Sequence, residues 1–280
     1  MEILSNYQRK LFPYAYNILG SAADAMDAIQ DVMVKYVSGP KQDIDNETGY
    51  LVKGVINQSI NIKKRNKKIA GDTMWLPEPI ATEKADGNIS RNEIISYSML
   101  VLLEYLNPKE RAVFILKEAF DYSHEEIADT LSLSVENSRK LLSRAKTELK
   151  NTDENFKLSS TGTSAFLEAY INIIKNGDTK ALEDMLSKEI AVKTDGGGNI
   201  KIVNELVVGL KPVVDLMLYV YDTYQKTLSI KFSKINHQPA VLFYKDNMLV
   251  NCQVFEIEND KIKGIYSIVD PEKLKNLQIL

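Results

Sequence analysis

Cysteine is almost missing from this chain of 280 residues. Cys252 stands alone, so no internal disulfide can form, and a reducing cytoplasm is the expected home. It sits in MLVNCQVFEIE, a strand-like run, and is expected as a small buried hydrophobe. Histidine is nearly as scarce: His124 and His237 are the only two, and neither stands at metal-ligand spacing from the cysteine. No metal and no cofactor is therefore expected. No run of about 18 apolar residues occurs, which excludes a membrane-spanning helix and any membrane role built on one. The first residues, MEILSNYQRKLF, lack the basic segment and long apolar stretch of a secretion signal. A dominant charge is lacking as well. Lys and Arg number 35 against 38 Asp and Glu, a net charge of −3, so the average charge announces no polyanionic partner.

Positive charge is present, but locally. NIKKRNKKIA at 61–70 packs five cations into residues 63–68, and 139–150 holds Arg139, Lys140, Arg144, Lys146 and Lys150 against Glu148 alone. A phosphate backbone responds to local potential, not to the chain average. Hydrophobic residues at 44% and charged residues at 26% are ordinary for globular domains, and the length suits about two of them.

Periodicity divides the chain. Leu11, Tyr14, Ala15, Ile18 and Leu19 share one face of a first helix, broken at Gly20-Ser21. Ser21 is placed to cap a second helix that turns Ala25, Ile29, Val32, Met33 and Tyr36 inward and leaves Asp24, Asp27, Gln30 and Asp31 outward. After the polar loop 38–47, a third helix is expected from Thr48 to Lys68. Residues 69–90, with Pro77 and Pro79 flanking Glu78 and no helical period, read as a linker. Helix resumes at 91–106. The polar stretch 151–161 marks a second boundary.

Residues 106–150, LNPKERAVFILKEAFDYSHEEIADTLSLSVENSRKLLSRAKTELK, read as a helix-turn-helix. Ser123 caps a helix holding Ile127, Ala128 and Leu131, and Ser134 caps the next. The second helix is expected to bury Val135, Leu142 and Ala145 and to show Glu136, Asn137, Arg139, Lys140 and Arg144. Side chains near the start of such a helix reach base edges, and cations further along meet phosphates. Arg suits guanine, Asn adenine, and Glu accepts from cytosine.

From Ser164 the pattern changes. Two helices at 164–176 and 178–188, a short strand AVKT, the turn DGGG and a helix at 209–224 precede three or four β-type runs, with Asp246-Asn247 and Asn259-Asp260 as hairpin turns. Helices followed by a meander predict an α+β domain with a curved antiparallel sheet. His237 falls at a strand end or turn with no positioned acid–base partner, so no catalytic residue is assigned.

These blocks resemble a family. DAMDAIQDVMVKYV is similar to region 2.2 of bacterial sigma factors of the extracytoplasmic-function (ECF) group. YLVKGVINQSINIKKRNKK is similar to regions 2.3 and 2.4, and 106–146 to region 4. The resemblance covers about residues 5–150. MWLPEPI at 74–80, DGGGN at 195–199 and DPEKL at 270–274 resemble three signatures of the subgroup with a SnoaL-like C-terminal extension; Asn199 stands where that subgroup usually has Lys, and Asp270 where it usually has Asn. The implied fold is multidomain: two all-α sigma domains, at 1–68 and 91–150, followed by an α+β SnoaL-like cone at 162–280.

The resemblance also implies roles. Asp27, Gln30 and Asp31 would meet the β′ clamp helices of RNA polymerase core, which also engages such factors through its β subunit. Asn57, Asn61, Lys63, Lys64, Arg65, Lys67 and Lys68 would hold promoter DNA near the melted −10 element. Loop 38–47 resembles the one that captures a flipped base. Glu136, Asn137, Arg139, Lys140 and Arg144 would read the −35 element. Trp75, Leu76 and Pro77 of the linker, Asp195, Gly196, Gly197 and Gly198 of the glycine loop, and Pro271 and Leu274 of the tail would form a regulatory contact between domains. That contact would make a separate anti-sigma factor unnecessary, and a small ligand in the cone could tune it. Two other readings compete: a ligand-sensing regulator that uses only the 106–150 unit, and a SnoaL-like enzyme fused to a DNA-binding module.

Overall fold

In the computed structural model, which describes residues 2–39, 44–69, 75–82, 93–152, 164–197 and 206–277, three helices start at the serine caps read from the sequence, Ser21, Ser123 and Ser134. Helix α1 (Glu2–Leu19) stops at Gly20, and α2 (Ala22–Ser38) begins where Ser21 accepts the Asp24 N–H at 3.2 Å. Helix α3 spans Glu47–Ile69. Gly54 lets α3 come close to α2, because a Cβ there would lie 3.0 Å from Val32. The chain resumes with α4 (Tyr97–Leu102) and a 3₁₀ turn at Leu103–Tyr105, a shorter helical stretch than the 91–106 predicted. Helix α5 (Pro108–Glu118) opens with Asn107 and Glu110 in a capping box and Pro108 in the first turn. Helices α6 (His124–Leu131) and α7 (Val135–Thr152) complete the helical half.

The second half is a sheet with helices. Helices α8 (Ser164–Lys175) and α9 (Thr179–Met185) lead into β1 (Leu186–Asp195), then β2 (Val207–Val208) and α10 (Leu210–Val220), which ends in a π-turn at Tyr221–Gln225. Strands β3 (Ser229–Ile235), β4 (Gln238–Lys245), β5 (Met248–Glu258) and β6 (Lys261–Ile268) follow, then the short α11 (Pro271–Leu274). Asp246-Asn247 and Asn259-Asp260 take positive φ at both positions, as tight hairpin turns require, and Asn236-His237 does the same. The strand order is β2-β1-β6-β5-β4-β3.

Two expectations need correction. The sheet is mixed, because β1 runs parallel to β6 while the other neighbours are antiparallel. Alternation of side chains reports which face is buried and carries no strand direction, so the parallel pair could not be read. The helix predicted to reach residue 188 ends at Met185, and β1 takes over with Leu186, Ile190 and Val192 turned inward. Register shifts in the β1–β6, β4–β5 and β5–β6 pairs bend the sheet.

Leu167, Tyr170, Val213 and Met217 from the helices pack with Val241, Phe243, Phe255 and Ile265 from the strands, and Tyr170 meets Phe255 edge to face at 5.1 Å. Each such side chain contributes roughly 1.5–3 kcal/mol on burial. Cys252 is buried on β5, and burial pushes its thiol pKa up, so it is inert packing.

The chain divides into two compact units: 1–71, 85–95 and 99–156 form the first, and 72–84, 96–98 and 157–280 the second. Both helical blocks fall in the first. The segment 72–84, part of the predicted linker, falls in the second. Among the described residues, no helix is long and apolar enough to cross a membrane.

Candidate nucleic-acid interface and linker clasp

The helix-turn-helix is built from local polar contacts. Ser123 and Glu126 cap each other reciprocally at the start of α6, which holds the Glu126 carboxyl below its usual range through its bonds to the Ser123 backbone and side chain. Ser132 takes a left-handed conformation at the turn, and Ser134 accepts the Asn137 N–H at 3.1 Å to start α7. His124 Nδ1 and Ser138 Oγ, 2.9 Å apart, brace the two helices. The buried seam of α7 is Ser138, Leu141, Ala145 and Leu149; Val135 and Leu142 are only partly covered. Glu136, Arg139, Lys140 and Arg144 are exposed and Asn137 is half-buried. Lys140 pairs with Glu136 at 2.7 Å and Arg139 with Glu125 at 3.8 Å. Pairs this exposed contribute about 0–1 kcal/mol, so a phosphate can displace them.

Helix α3 presents fewer groups than its sequence suggests. Asn61, Lys64 and Arg65 face solvent. Lys63 does not: its ammonium donates to the Leu19 carbonyl at 2.8 Å and to the Glu104 carboxylate at 2.7 and 2.9 Å. Burial, reinforced by the nearby Arg111, pushes the Lys63 pKa down to about 8. Burial pushes the Glu104 carboxyl up, but Arg111 and Lys63 together outweigh it and hold the group below its usual range. Asn57 donates to the Lys53 carbonyl at 2.8 Å and to the Thr130 carbonyl of α6 at 3.0 Å. Burial is the main cause that raises the Asp24 pKa, with Asp27 adding to it, and Asn66 donates to this carboxyl at 2.9 Å. The side chains of Lys67 and Lys68 and residues 40–43 of the base-capture loop lie outside the described residues.

On α2, Asp27, Gln30 and Asp31 are exposed, beside Val34 and Val37 at 66% and 72% exposure. Gln58 donates to Asp31 at 2.7 Å. The result is an acidic strip with an apolar margin.

In the second unit the three short signatures meet. Asp195, at the end of β1 and 3% exposed, accepts the Leu76 N–H at 2.7 Å, the Gly197 N–H at 2.8 Å and the Lys273 ammonium at 2.5 Å. Lys273 also donates to the Leu76 carbonyl at 2.6 Å and lies 4.4 Å from the centre of the Trp75 ring, a cation–π contact. Gly197 has φ +63°, and a Cβ there would fall 2.6 Å from the Asp270 carboxylate, so this position needs glycine. Asp270 caps α11 by accepting the Glu272 N–H, a role Asn would also fill, and Pro271 occupies the first turn. Gly196 and Leu274 are buried. Gly198 and Asn199 lie outside the described residues.

Beyond Pro79 the segment runs along the end of β3. Ile80 exchanges hydrogen bonds with Asn236, Ala81 bridges Ile235, and the Thr82 N–H reaches the Lys234 carbonyl. Tyr97 donates to the Pro77 carbonyl at 2.6 Å, and Gln238 accepts the Ser98 N–H at 2.6 Å. Lys273, Tyr97, Asn236 and Gln238 are therefore clasp residues that sequence reasoning missed. The one available signal was Lys273 inside DPEKL, a lysine like any surface lysine until Asp195 is set beside it.

Two family descriptions match: Sigma-70 region 2 over residues 3–69, and Sigma-70, region 4 over residues 97–149. The probable ECF RNA polymerase sigma factor SigI and the ECF RNA polymerase sigma factor SigJ of Mycobacterium tuberculosis are each 24% identical to the chain, over 96% and 95% of it and 92% and 90% of their own lengths. The chain thus carries both sigma-70 regions and is similar to ECF sigma factors along nearly its whole length. The crystal structure of SigJ superposes with a TM-score of 0.76 at 20% identity, covering 98% of both chains, so the fold extends through the C-terminal sheet. Sigma factors bind RNA polymerase core and promoter DNA, and regions 2 and 4 are the two parts matched in this chain. The match over 3–69 sets aside the regulator that uses only residues 106–150, and the likeness to sigma factors along nearly the whole chain sets aside the fused enzyme.

Proposed function

We propose that this chain acts as an ECF sigma factor regulated by its own SnoaL-like unit, which holds the linker between the two promoter-reading halves and so sets their spacing. The observation that carries the reading is the clasp: the Asp195 carboxylate and Lys273 ammonium grip both backbone groups of Leu76, with Trp75 beneath the ammonium. A linker left to itself would be solvated along its length, whereas Leu76, Pro77, Glu78 and Pro79 are buried. On this reading no separate anti-sigma factor is required, and the protein works in the cytoplasm beside the polymerase. A ligand entering the helix-covered sheet would act by loosening or tightening the clasp.

Residue roles follow. Arg139, Asn137 and Glu136 read the −35 element while Lys140 and Arg144 hold its backbone. Asn61, Lys64, Arg65, Lys67 and Lys68 hold the DNA near the −10 element, joined by Asn57 and Lys63. Asp27, Gln30 and Asp31 meet the polymerase clamp. Removing residues 160–280 is expected to change promoter binding and transcription with core polymerase; an unchanged profile overturns the regulatory role. Replacing Arg139 is expected to alter −35 selectivity, while replacing Lys67 weakens all promoters alike and reduces the salt dependence of binding. An equal effect of both on every promoter removes the distinction.

A further inference from the structure

Helix α7 has two apolar stripes to choose from, and both include Ala145 and Leu149. One adds Val135 and Leu142, the residues expected inside from the sequence. The other adds Leu141 and Ser138, and it is the one buried, with Ser138 at 0% exposure. With about 3.6 residues per turn, the centres of the two stripes lie about 40° apart around the helix axis. Exchanging Leu142 for Leu141 changes little in buried apolar area, and the stripe that is buried carries Ser138 where the other carries Val135. Apolar burial therefore does not select it. The polar residue of the buried stripe has a partner on the neighbouring helix: Ser138 Oγ lies 2.9 Å from Nδ1 of His124, in the first turn of α6. Charged ties of α7 lie at its rim. Arg139 meets Glu125 at 3.8 Å and Lys146 meets Glu118 at 2.7 Å, with the two cations 62% and 49% exposed. Pairs in that setting hold weakly.

We propose that His124 is a positioning residue for promoter recognition: its bond to Ser138 selects between the two stripes and so sets the angle at which α7 presents Glu136, Asn137 and Arg139. This rests on the reading of α7 as the −35 helix. Ser138 falls within the covered half of the helix in either arrangement, and a buried hydroxyl without a partner is costly. A turn of about 40° carries that hydroxyl roughly 2 Å sideways, which breaks a hydrogen bond of ordinary length. The acceptor left to it is the Ser134 carbonyl one turn back, which already receives the Ser138 N–H at 3.0 Å. Side-chain tips ride about 5–6 Å from the axis, so the same turn moves those of Glu136, Asn137 and Arg139 by about 4 Å. That exceeds the tolerance of a hydrogen-bonded contact to a base edge. A lysine on a flexible four-carbon stem follows a phosphate through such a turn, so selectivity depends on His124 more than bare affinity does.

The test uses the full chain with His124→Ala, His124→Asn and His124→Gln. Asparagine keeps a hydrogen-bonding group at the δ position that Nδ1 occupies, and glutamine moves it one bond further out. Each protein, with core polymerase, is given a promoter pool randomised in the −35 element, and the bound DNA is sequenced. Positioning by His124 expects His124→Ala and His124→Gln to lower the preference for the best base over the next by about threefold or more, with His124→Asn close to wild type. The salt dependence of binding stays the same in every protein. Uniform weakening with preferences intact, or a loss that asparagine does not restore, overturns the proposal and leaves the −35 reading standing. A wild type without any −35 preference refutes that reading and the proposal with it. A second measurement reads the rotation without DNA. Leu141→Cys and Leu142→Cys, made singly with and without His124→Ala, are labelled with a maleimide, while Cys252 is fully buried and stays unlabelled. Loss of the bond is expected to speed labelling at position 141 and slow it at position 142, by about twofold or more each. Faster labelling at both positions, or no change at either, overturns the selection of the stripe. Position 142 decides alone if Leu141→Cys does not fold.

Discussion

Replacing Asp195 by Ala tests the clasp at its centre. The carboxylate is 3% exposed and accepts three donors: two backbone N–H groups and the Lys273 ammonium. Alanine leaves Lys273 with the Leu76 carbonyl and the Trp75 ring but without its counter-charge. Removing one partner of a buried ion pair costs about 3–5 kcal/mol, because the other is stranded. At 1.4 kcal/mol per factor of ten, clasp closure weakens by about two orders of magnitude or more. The effect falls on residues 75–82, since the sheet core of Val241, Phe243, Phe255 and Ile265 does not depend on Asp195. The assay is direct, because Trp75 is the only tryptophan. Its emission should shift to the red and its quenching by acrylamide should rise, while far-ultraviolet circular dichroism stays native. Asp195→Asn keeps an acceptor and loses the charge, so it should lie between wild type and Ala. If Asp195→Ala folds and leaves Trp75 emission and quenching unchanged, the clasp does not hold the linker.

Lys63→Met separates burial from DNA contact. The Lys63 pKa of about 8 against an ordinary 10.5 means that burial and Arg111 disfavour the charged form by up to roughly 3 kcal/mol, so Met should keep or raise the melting temperature, and a fall of several degrees contradicts this. Between pH 8 and 10.5 the unfolded lysine holds more protons than the folded one, so this group makes stability rise with pH across that window and contributes no slope well below pH 8. Urea titrations at pH 7.5 and 9 should show wild type gaining on Lys63→Met; no relative gain refutes the assignment. Gly197→Ala places a Cβ against Asp270 in a left-handed conformation, so it should destabilise the clasp by about 1–2 kcal/mol and redden Trp75 emission. Wild-type melting and emission in that variant would show that the loop can move aside.

Much of the helical half was legible because its signals are local. Ser21, Ser123 and Ser134 act as caps where their spacing places them; in the sheet half, the turns at Asp246-Asn247 and Asn259-Asp260 close the expected hairpins for the same reason. What failed depended on partners distant in sequence. Both Leu141 and Leu142 fit a helical stripe, and the choice between them is made by the packing of α7, which buries 138, 141, 145 and 149 and sets Ser138 against His124. Lys63 stands in a run of cations and looked like its neighbours, yet Glu104, Arg111 and the Leu19 carbonyl draw it inward. The WLPEP, DGGG and DPEKL segments form one contact, but the cation that joins them, Lys273, is indistinguishable in sequence from a surface lysine until Asp195 is set beside it. The parallel pairing of β1 with β6 was invisible because their partnership spans most of the C-terminal unit.

Transcription by core polymerase tests control by the clasp most directly. Core polymerase lacking any other sigma factor is given one cognate promoter and either the wild-type chain or Asp195→Ala. Both should start transcription at the same site, and the amounts of transcript should differ by about threefold or more as the clasp loosens. No promoter-specific transcript from the wild type would contradict the sigma reading, and equal amounts from the two proteins would contradict control by the clasp.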